Sequence, residues 1–174
     1  GIKYRPIQKK ERQLLTVDEI CRIYRSELWS RDTQRTIFLL AAITGMRIGE
    51  ISALKKENLH ENYIDVKYTY SDKFGLGSTK TGVCRKVPIV AGFDYGTSHT
   101  EWVFEGLTTE KPMLSHAVYN AFSRICDNLN VKRKERGITI HSLRNFFISY
   151  LQGENVPENK IKAVVGHSDK SNID

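Results

Sequence analysis

The chain has 174 residues, of which 40% are hydrophobic and 27% are charged, and its formal net charge is +7 at pH 7. This length and apolar content suit one globular domain with a core of its own. No apolar run approaches the roughly 18 residues of a membrane span, and the first residues are polar and basic, so we expect neither a membrane span nor a signal peptide, and we expect a cytoplasmic location.

The positive charge is concentrated at the two ends of the chain. Residues 1–14 carry five Lys or Arg against one Glu, a net charge of +4, and residues 132–174 carry eight against five Asp or Glu, a net charge of +3. A basic balance favours a polyanionic partner. We expect residues 1–14 to be a basic interdomain linker that can follow a phosphate backbone, with a solvated tail as the alternative. The domain proper would span residues 15–174.

Two helices are predicted in the first quarter of the chain. Thr16 and Glu19 have the spacing of a capping box at the start of LTVDEICRIYRSEL, whose apolar residues recur at helical intervals. The segment from about Thr33 to Thr44 is apolar on most faces and too short for a membrane, which predicts the central core helix. Gly45 can adopt the left-handed conformation that ends such a helix.

A short helix, MRIGEISAL, is predicted directly after this turn. Arg47 and Glu50 lie three residues apart and therefore share one of its faces, while apolar residues form the other. Packing would hold this polar pair at a fixed angle to the core. The alternative is an exposed ion pair.

Strand patterns follow in YIDVKYTYS, GSTK and CRKVPIV, which alternate with period two between turn signals. We expect a small antiparallel sheet. Lys80 falls beside the turn KTG, where a long cationic side chain can reach toward a ligand, although a solvated turn lysine is the commoner case. After an irregular connection, SHAVYNAFSRICDNL predicts a third long helix.

The last third, ITIHSLRNFFISYLQGENVPENKIKAVVGHS, predicts two helices joined by Gly153 and Pro157. His141 and Arg144 share a helical face, and His167 follows a helix end that Gly166 marks. Each of these signals is weak alone, because a single HxxR or a single histidine is usually structural.

The order of the motifs carries more weight than any one of them. TGMRIGE, STKTGVCRKVPI, HSLRNFF and VVGHS follow one another along the chain. This series resembles the catalytic domain of the tyrosine recombinase (phage integrase) family, from about Leu15 to Ser168. The resemblance implies an α+β fold, mostly helical, with a small three-stranded antiparallel sheet. Asn145 departs from the pattern, since many relatives carry a second histidine there.

The resemblance also implies the roles of the site residues. Arg47 and Arg144 would clamp the scissile phosphate, because planar, permanently charged guanidiniums complement the extra negative charge of a five-coordinate phosphorus. His167 would donate a further hydrogen bond to the phosphate. Glu50 would support neighbouring groups.

Two further roles concern proton transfer and the nucleophile. Lys80 would be the general acid that protonates the 5′ leaving oxygen, and His141 would position or deprotonate the nucleophile. The nucleophile would be a tyrosine that forms a 3′-phosphotyrosine, and by the resemblance it lies past Asp174, so that the 174 residues alone would not cleave DNA. Tyr150, the tyrosine nearest to the motif, is expected to be packed on its helix.

We expect no cofactor and no metal, because the cationic side chains would replace divalent ions and no metal-ligand spacing is present. The three cysteines are far apart and show no CxxC spacing. The expected partners are double-stranded DNA and, at full length, other protomers in a tetramer, with no membrane. The alternatives are a DNA-binding module that lost catalysis and a type IB topoisomerase, which shares this fold. An RNA-binding protein is disfavoured, because no RNP-like aromatic strand is present.

Overall fold

The fold is an α+β arrangement of seven helices and four short strands within the residues that the computed structural model describes, which are 13–79, 82–108 and 110–166. The predicted α+β class is confirmed. None of the helices in these ranges is long and apolar enough to cross a membrane. The helices are α1 (Val17–Tyr24), α2 (Asp32–Thr44), α3 (Ile48–Ser52), α4 (Ser115–Asn128), α5 (Arg133–Arg136), α6 (Ser142–Gly153) and α7 (Glu158–Val165). The strands are β1 (Tyr63–Val66), β2 (Tyr68–Ser71), β3 (Gly75–Ser78) and β4 (Arg85–Pro88), and a 3-10 turn spans Lys56–Asn58.

Helix α1 begins with the predicted capping box. The Thr16 side chain accepts a hydrogen bond from the Glu19 N–H at 3.1 Å, and the Glu19 carboxylate accepts one from the Thr16 N–H at 2.9 Å. Both bonds satisfy N–H groups that a helix start leaves without partners. Ile20 and Ile23 are buried on the inner face of the helix.

Helix α2 is the centre of the core, as predicted. Its residues Ile37, Phe38 and Leu40 are fully buried. The Phe38 ring lies 5.4 Å from Trp29 and 6.0 Å from Phe122 of α4, measured between ring centroids. Helices α1, α3, α4 and α6 all pack on α2, so the two ends of α2 fix where the neighbouring chain segments lie.

The strands differ from the single three-stranded sheet that we expected. β1 pairs with β4, and β2 pairs with β3, both antiparallel. YIDVKYTYS changes partner at Lys67, because β4 extends only as far as the pairing of Arg85 with Val66, while Ser78 pairs with Tyr68. The segment between Ser78 and Arg85 is therefore an insertion, in sequence, between the two strands that pair with this run. Lys80 belongs to this insertion in sequence.

The last two helices lie where the sequence predicts them. Helix α6 ends at Gly153, and α7 follows Pro157, whose fixed backbone suits a helix start. Gly166 ends α7 in the left-handed conformation, with φ of 70°. The predicted linker, residues 1–14, falls mostly outside the described residues. Of its described part, Gln13 donates its backbone N–H to the Arg136 carbonyl at 3.1 Å.

Replacing Gly45 with alanine tests how closely the end of α2 packs against α6. Gly45 has φ of 66°, and an added Cβ would lie 2.5 Å from the Phe147 ring of α6. We expect Gly45→Ala to lower the free energy of unfolding by about 3 kcal/mol, because left-handed strain and overpacking add. Gly96→Ala is the control, since Gly96 has φ of 79° and open space around it. It should lose only about 1 kcal/mol. Equal losses in urea unfolding would contradict the close packing at Gly45.

Candidate active site

Arg47 is placed by the sharp turn between α2 and α3. Gly45 ends α2 in the left-handed conformation, and Arg47 is the N-cap residue of α3. Its neighbours Met46 and Ile48 are buried, whereas the Arg47 side chain is 25% exposed. The two buried neighbours hold the backbone of the turn in place. The Arg47 side chain therefore extends from a fixed backbone position toward solvent.

Glu50 is a buried carboxylate that joins Arg47 to a second arginine. Its side chain is 1% exposed. It accepts hydrogen bonds from the Arg47 backbone N–H at 2.9 Å and from Arg47 Nη1 at 3.1 Å. Arg85, at the start of β4, donates Nη1 to Oε1 at 3.1 Å and Nη2 to Oε2 at 2.7 Å. The alternative of an exposed ion pair is therefore wrong.

The two arginines keep Glu50 ionised. Burial alone would raise the pKa of Glu50, but the hydrogen bonds and charge of Arg85, with the backbone N–H and charge of Arg47, hold the pKa below its ordinary value. One carboxylate thus serves two guanidiniums, and the group of three side chains keeps a net positive charge.

Arg144 is held in place by backbone carbonyls. It is the third residue of α6 and only 2% exposed. Its Nη1 donates to the Gly45 carbonyl at 2.8 Å, and its Nη2 donates to the Val165 carbonyl at 2.5 Å. Burial lowers the pKa of Arg144 to about 10, and the charges of Arg47 and Arg85 act in the same direction. The ends of α2 and α7 therefore hold one charged guanidinium beside the other two.

A pocket of about 430 Å³ lies between α3, β2, α4 and α6. Its charged or titratable lining residues include Arg47, Lys73, Asp72, His141 and Arg144. Among the described lining residues, three side chains that are cationic at neutral pH stand against one carboxylate, so this part of the pocket favours an anion. In the part of the chain that the structure describes, no group of three or more His, Cys, Asp or Glu side chains is placed to hold a metal ion.

Asp72, the carboxylate among the described lining residues, binds the N-terminus of α4. It accepts the backbone N–H groups of Ser115 and His116, each at 2.9 Å, and lies 2.9 Å from the His116 ring nitrogen Nδ1. Burial would raise the pKa of Asp72, but these hydrogen bonds outweigh it and lower the pKa. The positive end of the helix dipole offsets part of its charge, so Asp72 opposes an incoming anion less than a free carboxylate would.

Two tyrosines, Tyr70 and Tyr119, also line the pocket. Burial raises the pKa of Tyr119, and the nearby charge of Asp72 raises it further. A phenolate is therefore harder to form there than in water. Tyr150 is 52% exposed on α6 and its ring stacks on Phe146. The Tyr150 ring thus packs on its own helix, as expected, but about half of the residue is exposed.

The structure brings together four of the six residues that the sequence predicts for the site. Arg47, His141 and Arg144 line the pocket, and Glu50 contacts Arg47 from the core side. His141 is exposed at the N-cap of α6. The other two residues lie outside the described ranges: Lys80 and His167.

Sequence reasoning overlooks Arg85, although the strand pattern contains a signal for it. Arg85 and Val87 are two residues apart in β4 and therefore point to the same face. Val87 is fully buried. An arginine on the inner face of a strand needs a buried anionic or carbonyl partner, which is the role that Glu50 fills.

Comparison with known proteins agrees with this arrangement of motifs. The sequence model described as the phage integrase family matches residues 12–174. The chain belongs to the phage integrase family. This integrase-family chain is 27% identical over 210 aligned residues to the prophage ps2 probable integrase of Lactococcus lactis subsp. lactis strain IL1403, an alignment that covers 97% of the chain and 54% of that protein.

Solved integrase structures share the fold. The Tn1549 transposon integrase in complex with a circular intermediate DNA superimposes with a TM-score of 0.75 at 16% identity, over 95% of this chain and 61% of that one. A lambda integrase dimer bound to a COC′ core site gives a TM-score of 0.61 at 24% identity, over 94% and 47%. The chain thus spans about half to three fifths of the length of the relatives it matches.

Removing the Glu50 charge tests the buried carboxylate. We expect Glu50→Gln to lower the free energy of unfolding by about 3 kcal/mol near neutral pH, because it leaves the buried Arg85 and the partly buried Arg47 without their carboxylate. The folded-state pKa of Glu50 lies below the ordinary value for a glutamate, so the wild type holds this stability above that ordinary value, about pH 4.5, and loses it as the pH falls through the folded pKa. The gap between wild type and variant should therefore close in acid.

Urea unfolding across the acid range measures this gap. Glu19→Gln is the control, because Glu19 pairs with Arg136 in a similar way but is more exposed, at 16%, and its loss should be smaller. A gap for Glu50→Gln that stays constant down to about pH 3 would contradict the pKa assignment.

Proposed function

We propose that this chain is the catalytic domain of a site-specific DNA recombinase that cuts and rejoins DNA through a 3′-phosphotyrosine. The observation that carries the proposal is the convergence of Arg47 and Arg144, remote from each other in sequence, on one cationic pocket. Membership of the phage integrase family supports it. The related integrases that were solved in complex with DNA support it as well.

The two arginines would bind the non-bridging oxygens of the scissile phosphate. Attack on phosphorus places extra negative charge on these oxygens, and forked guanidinium donors stabilise that charge most when they are already in position. Arg144 meets this condition, because the carbonyls of Gly45 and Val165 hold its guanidinium before any ligand arrives. His167, which follows Gly166 in sequence, would add a hydrogen bond.

Lys80 would act as the general acid. In the cleavage step a tyrosine oxygen bonds to phosphorus, the bond from phosphorus to the 5′ oxygen breaks, and the ammonium of Lys80 gives that oxygen a proton. The described residues on either side of Lys80 in sequence are hydrogen-bonded to one another. The Gly82 N–H donates to the Thr79 carbonyl at 2.8 Å, and the Thr79 hydroxyl donates to the Val83 carbonyl at 3.2 Å.

The nucleophilic tyrosine would come from outside these 174 residues. Within the pocket, burial and the charge of Asp72 raise the pKa of Tyr119, so that its phenolate forms less readily, and Tyr70 belongs to strand β2. His141, exposed at the pocket wall, would position or deprotonate the incoming phenol. Rejoining reverses the same steps with a 5′ hydroxyl, so the bond energy is conserved without ATP.

Double-stranded DNA would be the substrate, and the full-length protein would act as a tetramer with other protomers. The +7 net charge supports a polyanionic partner. One related structure is a lambda integrase tetramer bound to a Holliday junction. The alternative is a DNA-binding module without catalysis, which would bind duplex DNA but form no covalent bond with it.

Covalent adduct formation on a labelled DNA duplex tests the function. A protein that extends this chain past Asp174 through the proposed tyrosine should form a denaturant-resistant adduct, whereas the 174 residues alone should bind duplex DNA with strong salt dependence and form none. Arg144→Ala in the extended protein should slow adduct formation by a factor of about 100 or more.

The matched control is Arg124→Ala. Arg124 is an exposed arginine of α4 that contacts Leu28 and Ser30, and its removal should change the adduct rate only slightly. An extended protein that binds duplex DNA but yields no adduct would favour the binding module. A normal adduct rate in Arg144→Ala would rule out the clamp.

Lys80→Ala tests the general acid. On ordinary DNA the variant should cleave slowly, because the 5′ oxygen leaves without a proton. A substrate with a bridging 5′ phosphorothiolate has a better leaving group, so its cleavage rate should return to within a factor of about 10 of the wild-type rate. The ratio of the two rates in a gel assay is the measurement. Equal impairment on both substrates would assign Lys80 a different role.

A further inference from the structure

Among the described cations near the pocket, Arg85 uses the most of its guanidinium nitrogens in hydrogen bonds. All three of its guanidinium nitrogens donate hydrogen bonds: Nη1 and Nη2 to the two oxygens of Glu50, and Nε to the Val164 carbonyl at 2.7 Å. Its side chain is 7% exposed. Arg85 is not among the residues that line the pocket, so it would act on a bound phosphate through other residues.

The first of these residues is Arg47. Among the described residues, its side chain makes one hydrogen bond, from Nη1 to the Glu50 oxygen Oε1 at 3.1 Å. A carboxylate has about four lone-pair sites, and Arg85 fills two of them with a forked pair. If Arg85 were absent, the desolvated oxygens of Glu50 would require new donors. Arg47 is the nearest cation, and a second bond to Glu50 would turn its guanidinium away from the pocket.

The second connection is the end of α7. The Val164 carbonyl that Arg85 binds lies in the last turn of that helix, and Gly166 packs so closely on the guanidinium that an added Cβ would lie 3.0 Å from Nη1. The next residue, Val165, supplies a carbonyl to Arg144. One side chain therefore ties the end of α7 to the carboxylate that contacts Arg47.

We propose that Arg85 is a positioning residue of the active site: it holds Glu50 with a forked pair so that Arg47 remains directed to the phosphate, and it fixes the end of α7 against the same carboxylate. This inference rests on the proposed function. Arg85 would not contact the reacting atoms. Its effect on the cleavage rate should therefore be large when the scissile phosphate is negatively charged and small when it is neutral.

Two substrates separate this role from a structural one. In ordinary DNA the scissile phosphate carries the charge that the arginines neutralise, whereas a methylphosphonate at that position is neutral and depends less on the clamp. The extended protein with the tyrosine is used, and the rate of single-turnover adduct formation is measured on both substrates for each variant, relative to the wild type. Duplex affinity and thermal unfolding are measured in parallel.

Arg85→Met should slow the reaction on ordinary DNA by about 30-fold but by no more than about threefold on the methylphosphonate. Arg47→Ala should show the same split. The matched control is Arg136→Met, because Arg136 also forms a forked pair with a glutamate, Glu19, and donates to a backbone carbonyl. Its effect, large or small, should be equal on the two substrates.

The outcomes distinguish the inference from the function on which it rests. If Arg47→Ala shows no split, the phosphate clamp fails. If Arg47→Ala shows the split and Arg85→Met slows both substrates equally or neither, the positioning role of Arg85 is overturned. Should Arg85→Met not fold, Arg85→Lys is compared in its place. A lysine keeps the charge but not the fork, so the same split should persist with a smaller loss, about three- to tenfold on ordinary DNA.

Discussion

The buried carboxylate of Glu50, shared by Arg47 and Arg85, is the interaction on which the rest of the site depends. A charge at 1% exposure cannot remain in a core without partners. The two guanidiniums that satisfy it come from separate places, the turn before α3 and the first residue of β4. Through this one side chain the ion pairs connect the helical core to the strands, and the positions of both arginines become properties of the fold.

Arg144 is held by a different kind of partner than Arg47 and Arg85. Arg47 and Arg85 each contact a negative charge, whereas the hydrogen-bond acceptors of Arg144 are the neutral carbonyls of Gly45 and Val165. These carbonyls orient the guanidinium but cancel little of its charge. Burial, together with the charges of Arg47 and Arg85, therefore lowers the pKa of Arg144 to about 10. Under the proposed function, a bound phosphate would supply the negative charge that Arg144 lacks.

The sequence predicted the elements that local chemistry determines. The Thr16 and Glu19 capping box, the left-handed Gly45 and the two final helices depend on neighbours within a few residues, and all are confirmed. The pairing of the strands is harder to predict from sequence, because it depends on where pairing stops at Ser78 and resumes at Arg85. The alternation within either strand does not contain that information. The link from Arg85 to Glu50 was missed for the same reason: it joins two segments whose separate patterns, a strand start and a short helix, contain no information about their distance.

A site of this kind lowers the stability of the chain that carries it. Burying Arg144 without a carboxylate costs free energy that the core must offset, and the turn at Gly45 brings the Gly45 carbonyl into contact with Arg144 in the first turn of α6. An anion bound between Arg47 and Arg144 would return part of that cost, since a ligand that binds the folded state alone stabilises it. Under the proposed function, the charge of Arg144 that no carboxylate contacts would therefore serve to bind the phosphate, while its hydrogen bonds to the Gly45 and Val165 carbonyls hold the guanidinium in the fold.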